Sequence, residues 1–163
     1  MSANSINAAA AALRGLILTA AGAALAVLPA LVPSPTAAAT LLGLVDTGEL
    51  FASENGGVTW TARSTLPVRD AVGLAARASS SELYLASRSG TVYRSLDGGF
   101  TWTAVGTVPA SDVADITVTP DLAVLLLTAT GALYSSTDLG ATFTAIAALT
   151  GSNFVSLSLT APA

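Results

Sequence analysis

The chain has 163 residues, ten acidic and six basic side chains, no cysteine and no histidine, for a formal net charge of −4. That length suits one domain around a single core. The missing cysteines exclude disulfide staples, thiolate zinc sites and a lipid-bearing N-terminal cysteine, the missing histidines remove the commonest general base and metal ligand, and a mildly acidic chain without a basic run argues against nucleic acid as partner.

In chain order, the first predicted element is an apolar segment over residues 15–32, rich in Ala and Leu, preceded by Arg14 and followed by Pro33, Pro35, Ala37, Ala38 and Ala39. A positive charge, an apolar middle and small residues behind helix-breaking prolines are the parts of a signal peptide. Residues 1–39 are therefore expected to be an export signal, cleaved near Ala39. The alternative is an uncleaved anchor, since about 18 apolar residues approach the span of a bilayer. Pro29 interrupts the stretch and favours cleavage. Either way residues 40–163 are expected outside the cytoplasm, as a secreted, periplasmic or extracellular domain, or as one held at the membrane and facing outward.

Beyond the leader the chain repeats itself. Gly48, Leu50, Phe51, Ser53, Asn55, Gly57, Thr59 and Trp60 recur as Gly90, Val92, Tyr93, Ser95, Asp97, Gly99, Thr101 and Trp102, and again as Gly131, Leu133, Tyr134, Ser136, Asp138, Gly140, Thr142 and Phe143. The offsets are 42 and then 41 residues. A second set keeps the same register: Asp70, Val72 and Leu74, then Asp112, Ala114 and Ile116, then Asn153, Val155 and Leu157. Two patterns on one period of this length indicate a repeat architecture.

Each period holds short strand candidates bounded by Gly, Pro, Ser or Asp. The reading starts with a strand over residues 41–45. The second repeat is expected to give strands over 71–78, 83–87, 91–95 and 101–105, and the third over 113–119, 123–128, 132–136 and 142–147. A last strand is expected over 154–159. The first and last fragments together make up one four-stranded blade, as if the ends of the chain completed each other.

Between the third and fourth strand of each repeat the chain must reverse tightly. Asp97, Asp138 or Asn55 can accept backbone N–H bonds inside such a turn, and Gly57, Gly99 and Gly140 can take a positive φ. Trp60, Trp102 and Phe143 are expected to lay an apolar ring on the neighbouring sheet, each contributing about 2–3 kcal/mol if fully buried. A cluster of Ser, Asp and Thr repeated three times is a turn device. A catalytic site would be singular, and calcium at the turns is the lesser alternative.

The segment Ser-x-Asp-x-Gly-x-Thr-Trp, complete over residues 95–102, resembles the Asp box, or BNR repeat, of sialidases, sortilin-type receptors and photosystem II assembly factor propellers. The other two copies depart from it by Asn55 for Asp and Phe143 for Trp. The resemblance covers roughly residues 41–163. It implies an all-β fold of four-stranded antiparallel propeller blades, about three of them, with the Asp-box corners on the face opposite the usual binding surface. Propellers have four to eight blades, so the resemblance also implies a partial propeller, or one completed by a second copy as a homo-oligomer.

Function is then expected in the loops at the other end, residues 66–70, 107–111 and 149–152 together with 87–90 and 128–131, where Arg69 and Arg88 are the only cations. Sialidases sharing the motif use three arginines on the substrate carboxylate, a Tyr paired with Glu, and an Asp. Here Arg63, Arg69, Arg77, Arg88 and Arg94 are scattered, Tyr93 and Tyr134 sit at repeat positions, and only Tyr84 is left. No catalytic residue, cofactor or metal ligand is assigned. The expected function is an exported, non-enzymatic interaction or scaffold module for a protein or surface glycan, with membrane contact only if the leader stays. The alternative is a fragment of a sialidase-like glycoside hydrolase.

Overall fold

The computed structural model describes residues 39–45, 47–78 and 80–159, so the expected export signal falls, apart from Ala39, outside the described residues. Those residues form eleven strands and no helix. Strands β1 (Leu41–Leu44), β2 (Glu49–Ser53) and β3 (Thr61–Thr65) make a first sheet in that order. The second runs β4 (Ala71–Ala76), β5 (Leu83–Ser87), β6 (Thr91–Ser95), β7 (Thr103–Thr107), and the third β8 (Val113–Val118), β9 (Val124–Thr128), β10 (Ala132–Ser136), β11 (Thr144–Ala148). Every pairing is antiparallel between sequence neighbours, the meander that short loops dictate.

The repeat extends to irregularities. The register shifts at Ala71/Gly73 and again at Val113/Asp115, and it shifts at Leu50/Phe51, Val92/Tyr93 and Leu133/Tyr134. Bulges at matching positions bend each sheet alike, so the sheets stack as equivalent blades.

Side-chain alternation explains why the middle sheet is the best buried. On β5, Tyr84 and Ala86 face the third sheet in a cluster with Val92, Val113, Ile116, Val124 and Leu126, while Leu85 faces the first sheet beside Leu50 and Leu66. A strand sandwiched on both faces is mostly apolar, and all five residues of β5 are buried, the one small polar side chain, Ser87, being hydrogen-bonded to Thr91.

Three expectations need correction. The fourth strands begin at Thr103 and Thr144, two residues later than expected, because the N–H groups of Thr101 and Thr142 are taken by the preceding carboxylates and so belong to the turn. The strands expected over 71–78 and 113–119 end earlier, at Ala76 and Val118. Residues 154–159 form no strand and pair with no sheet among the described residues. They lie instead along β8, where Phe154 donates its N–H to the Ala129 carbonyl (3.2 Å) and Leu157 donates to Asp115 Oδ2 (2.8 Å). The two end fragments do not meet as one blade among the described residues.

Candidate functional site

The three corners share one hydrogen-bond scheme. In the second, Ser95 Oγ donates to Asp97 Oδ1 (2.7 Å) and accepts the Gly99 N–H (2.8 Å), and Asp97 Oδ1 accepts the N–H groups of Phe100 and Thr101. The third repeats this through Ser136, Asp138, Gly140 and Thr142. In the first, Asn55 Oδ1 accepts the Thr59 N–H while its amide donates to Thr59 Oγ1, and Gly57 donates to Ser53 Oγ.

Gly99 has φ +94°, and a Cβ there would stand 2.6 Å from Leu50 Cδ2 of the first sheet. Its missing side chain thus serves both the turn and the approach of one blade to the next. β3 holds the other side of that contact, with Arg63 Nη1 donating to the Gly98 carbonyl (2.9 Å) and Ser64 Oγ to the Gly99 carbonyl (2.6 Å). The corner is a joint between blades as well as a turn.

The rings fall short of full burial, so each contributes less than about 2–3 kcal/mol. Trp102 and Phe143 are half-buried and Trp60 is 45 % exposed. Trp102 packs beside Leu50 and Leu85 between two sheets, whereas Trp60 lies on the outer side of the first sheet, which no further sheet covers among the described residues. Both indoles tie back to their own turn, donating to the Gly57 and Gly99 carbonyls.

The Thr142 hydroxyl, then the Thr142 N–H and the Ser136 hydroxyl, hold the Asp138 carboxyl down to about 2, and the equivalent groups hold Asp97 well below the usual carboxylate range. A carboxyl depressed by folding stabilises fully above its unfolded value, near 3.8, and loses that contribution as pH falls through the folded value. Replacing both, Asp97→Asn with Asp138→Asn, is expected to flatten the loss of thermal stability between about pH 4 and pH 2. The cost at neutral pH should be small, because Asn55 already fills this position in the first corner. Melting curves over a pH series check this, and an unchanged acid limb would move its origin away from the corners.

At the opposite end, the second repeated set has a structural explanation. Asp70 Oδ2 accepts the Ser89 N–H (3.1 Å) and Asp112 Oδ2 the Thr130 N–H (3.1 Å), while their carbonyls accept the N–H groups of Arg88 and Ala129 (2.8 Å each). Each carboxylate ties the loop entering a blade to the hairpin turn of that blade. The turn then reaches the next blade, Arg88 carbonyl to Val113 N–H, and Ala129 carbonyl to Phe154 N–H in the equivalent place.

The structure brings Arg69 and Arg88 to this end but not to one site. Arg69 donates to the Thr47 carbonyl (2.6 Å). Arg88 is exposed and lines a hollow of about 440 Å³ with Val72, Ala129, Asn153, Phe154 and Val155. A second hollow of about 560 Å³ lies beside Pro109, Asp112, Thr130 and Tyr134. Cation, backbone polar groups and apolar side chains stand together at the first.

Sequence reasoning missed the densest charged cluster. Glu82 Oε1 accepts from Tyr84 Oη (2.7 Å) and Arg94 Nε (2.6 Å), and Oε2 from Arg77 Nη1 (2.7 Å). Glu82 and Tyr84 are 4 % and 1 % exposed. Burial penalises the Glu82 charge, but the bonds from Tyr84, Arg77 and Arg94 outweigh it and hold the carboxyl below its ordinary value. Burial first, and then the Glu82 carboxylate, push the Tyr84 phenol up to about 12. One signal was available: Glu82 interrupts the repeat, where Thr40 and Ala123 stand at the equivalent positions.

Stacked antiparallel meanders of three and four strands with repeated corners define the chain as a β-propeller protein. A family model described as the DUF6242 beta propeller domain matches residues 40–154, and the chain belongs to that family. Among solved structures it is similar to "YCF48 bound to D1 peptide", with 22% identity and a TM-score of 0.52 over 65% of this chain and 36% of that one. It is also similar to YCF48 from Cyanidioschyzon merolae (20% identity, TM-score 0.47, 70% and 38% covered) and to the Niastella koreensis GH74 enzyme (21%, 0.42, 67% and 17%). The chain spans little more than a third of the YCF48 chains it matches. No curated protein matches it by sequence.

Proposed function

We propose that this chain is a non-enzymatic, exported interaction module that binds an extended segment of a protein partner at the loop end, its three corners being Asp boxes that only join blades. The observation that carries this reading is the burial of Glu82 and Tyr84 within their cluster. Tyr, Glu and Arg are the residue types a sialidase would need, yet Tyr84 is 1 % exposed and its hydroxyl, Arg77 and Arg94 are all spent on the Glu82 carboxylate, so no substrate reaches the Tyr84 oxygen. The groups left at the loop end suit binding. The hollow beside Arg88 offers one cation and the half-buried Val72, a surface for a peptide with an acidic group next to an apolar one. The description of the YCF48 structure, bound to a D1 peptide, supports the same kind of ligand on this fold. Export rests on the apolar residues 15–32.

The test is selection of a displayed peptide on the purified chain, followed by its dissociation constant with Arg88→Ala. A loss of about tenfold, with the melting temperature unchanged, is expected for one charge-assisted hydrogen bond. Undiminished affinity would move the binding site elsewhere, a hit only on a glycan array would replace the peptide by a sugar, and turnover of a fluorogenic sialoside would overturn the non-enzymatic reading. Export is checked by the N-terminus of the mature protein, and a cytoplasmic chain still starting at Met1 would end it.

A further inference from the structure

Among the described residues the first sheet has three strands where the others have four, and the strand not found there is the innermost one, the counterpart of β4 and β8. The far edge of β1 is therefore unpaired among the described residues, and an open edge is a template for another strand. The exposure of its side chains registers the gap. Leu41 is 41% exposed, while its equivalents Leu83 and Val124 are 4% and 0%. Val45 is 37% exposed, against 0% for Ser87.

At the other end of the stack, residues 153–159 have the opposite defect. They carry the pattern of an innermost strand, Asn153, Val155 and Leu157 matching Asp112, Ala114 and Ile116. They also occupy its place, since the bond from Phe154 N–H to the Ala129 carbonyl repeats that from Val113 to Arg88. Yet they pair with no sheet, and Val155 is left 79% exposed. The segment cannot serve the β1 of its own chain, because it is fixed on β8 while the second sheet packs between the first and the third.

We infer that residues 153–159 of one copy add to the β1 edge of a second copy, and reciprocally, so that the three described sheets of each chain close head to tail into one ring. A head-to-tail contact of this kind forms a closed ring when its rotation completes the circle. The repeat fixes the register. The pairings of β4 with β5 and of β8 with β9 place Phe154 opposite Val45, Leu157 opposite Gly43 and Ser158 opposite Leu42, with Val155 as the extra residue at the bulge. The same closure covers a second pair of bare surfaces. The corner at Gly57 and Val58 would meet β11 of the other copy, as the corner at Gly99 meets β3. Val58 and Ile146, which would then face each other, are 81% and 54% exposed.

The chain has no cysteine, so engineered thiols report without background. Full-length Leu42→Cys chains are mixed with full-length Ser158→Cys chains and mildly oxidised, because directly paired residues on neighbouring strands are close enough for a disulfide. The expected result is a reducible covalent dimer from the mixture and none from either variant alone, with a sedimentation mass of the unmodified protein twice that of one chain. Melting curves of the reduced variants show that both are folded. A folded protein that sediments as a monomer and gives no mixed dimer would overturn the inference. So would a Leu42→Cys, Ser158→Cys double variant that closes only on itself at monomer mass, or dimers formed equally well by each single variant, which would mean a face-to-face contact.

Discussion

Gly90→Ala is expected to lower the unfolding free energy by about 3 kcal/mol and the melting temperature by about 10 °C or more. Two costs add at this position. Gly90 has φ +96°, a conformation in which an L side chain is strained by about 1–2 kcal/mol. The new Cβ would also stand 2.4 Å from the Ala110 carbonyl oxygen and 2.8 Å from that of Val108. Both obstacles are backbone, so no side chain can turn aside. The Gly90 carbonyl accepts the Val108 N–H (2.9 Å), which ties this hairpin turn to the loop that must move, and relief of the clash would strain that bond. Urea unfolding of variant and parent measures the difference. A variant within 0.5 kcal/mol of the parent, roughly the scatter of neutral surface changes, would mean that the loop at 108–110 gives way freely.

That turn illustrates what the residues themselves announce. Gly48, Gly90 and Gly131 stand at one repeat position, and each takes a positive φ at the same hairpin. The strands over 83–87, 91–95 and 132–136 were legible to the residue, since apolar runs ended at Gly or Ser on a fixed period. A period can be read without knowing any contact. The fourth strands were misplaced by two residues because Thr101 and Thr142 look like strand residues, while their N–H groups serve a carboxylate four positions back. Residues 154–159 have strand chemistry without a partner, and pairing is a property of two segments. The loop end was partly legible. Arg88 could be picked out as a cation in a turn, but that it lines a hollow with Phe154, and that Arg69 is spent on Thr47, depends on which loops the blade stack brings together. The Glu82 cluster joins residues from three neighbouring segments, and composition does not reveal such a meeting.

That cluster carries the other large effect. Glu82→Gln is expected to cost about 2–4 kcal/mol at neutral pH, because it keeps the shape and removes the one anion that Arg77, Arg94 and Tyr84 share. Leaving buried cations without their partner costs about 3–5 kcal/mol when water is shut out. Here the side chains of Arg77 and Arg94 are 34% and 22% exposed, so water recovers part of the loss and the expected cost falls to about 2–4 kcal/mol. Tyr84→Phe is the matched comparison. It keeps the ring in the cluster between the second and third sheets and deletes one hydrogen bond, so it should cost less, about 1–2 kcal/mol. The pH dependence separates charge from packing. Folding holds the Glu82 carboxyl below its ordinary 4.5, so its contribution is complete above that value and disappears as pH falls through the lowered folded value. The gap between parent and Glu82→Gln should therefore narrow as the solution is acidified below about pH 4.5, whereas the gap for Tyr84→Phe, a group neutral throughout that range, should depend on pH only through its bond to Glu82. Urea titrations at neutral and acid pH supply both comparisons. A Glu82→Gln variant as stable as the parent would mean that the ion cluster merely tolerates burial, and that the apolar contacts of β5 hold the second blade between its neighbours without it.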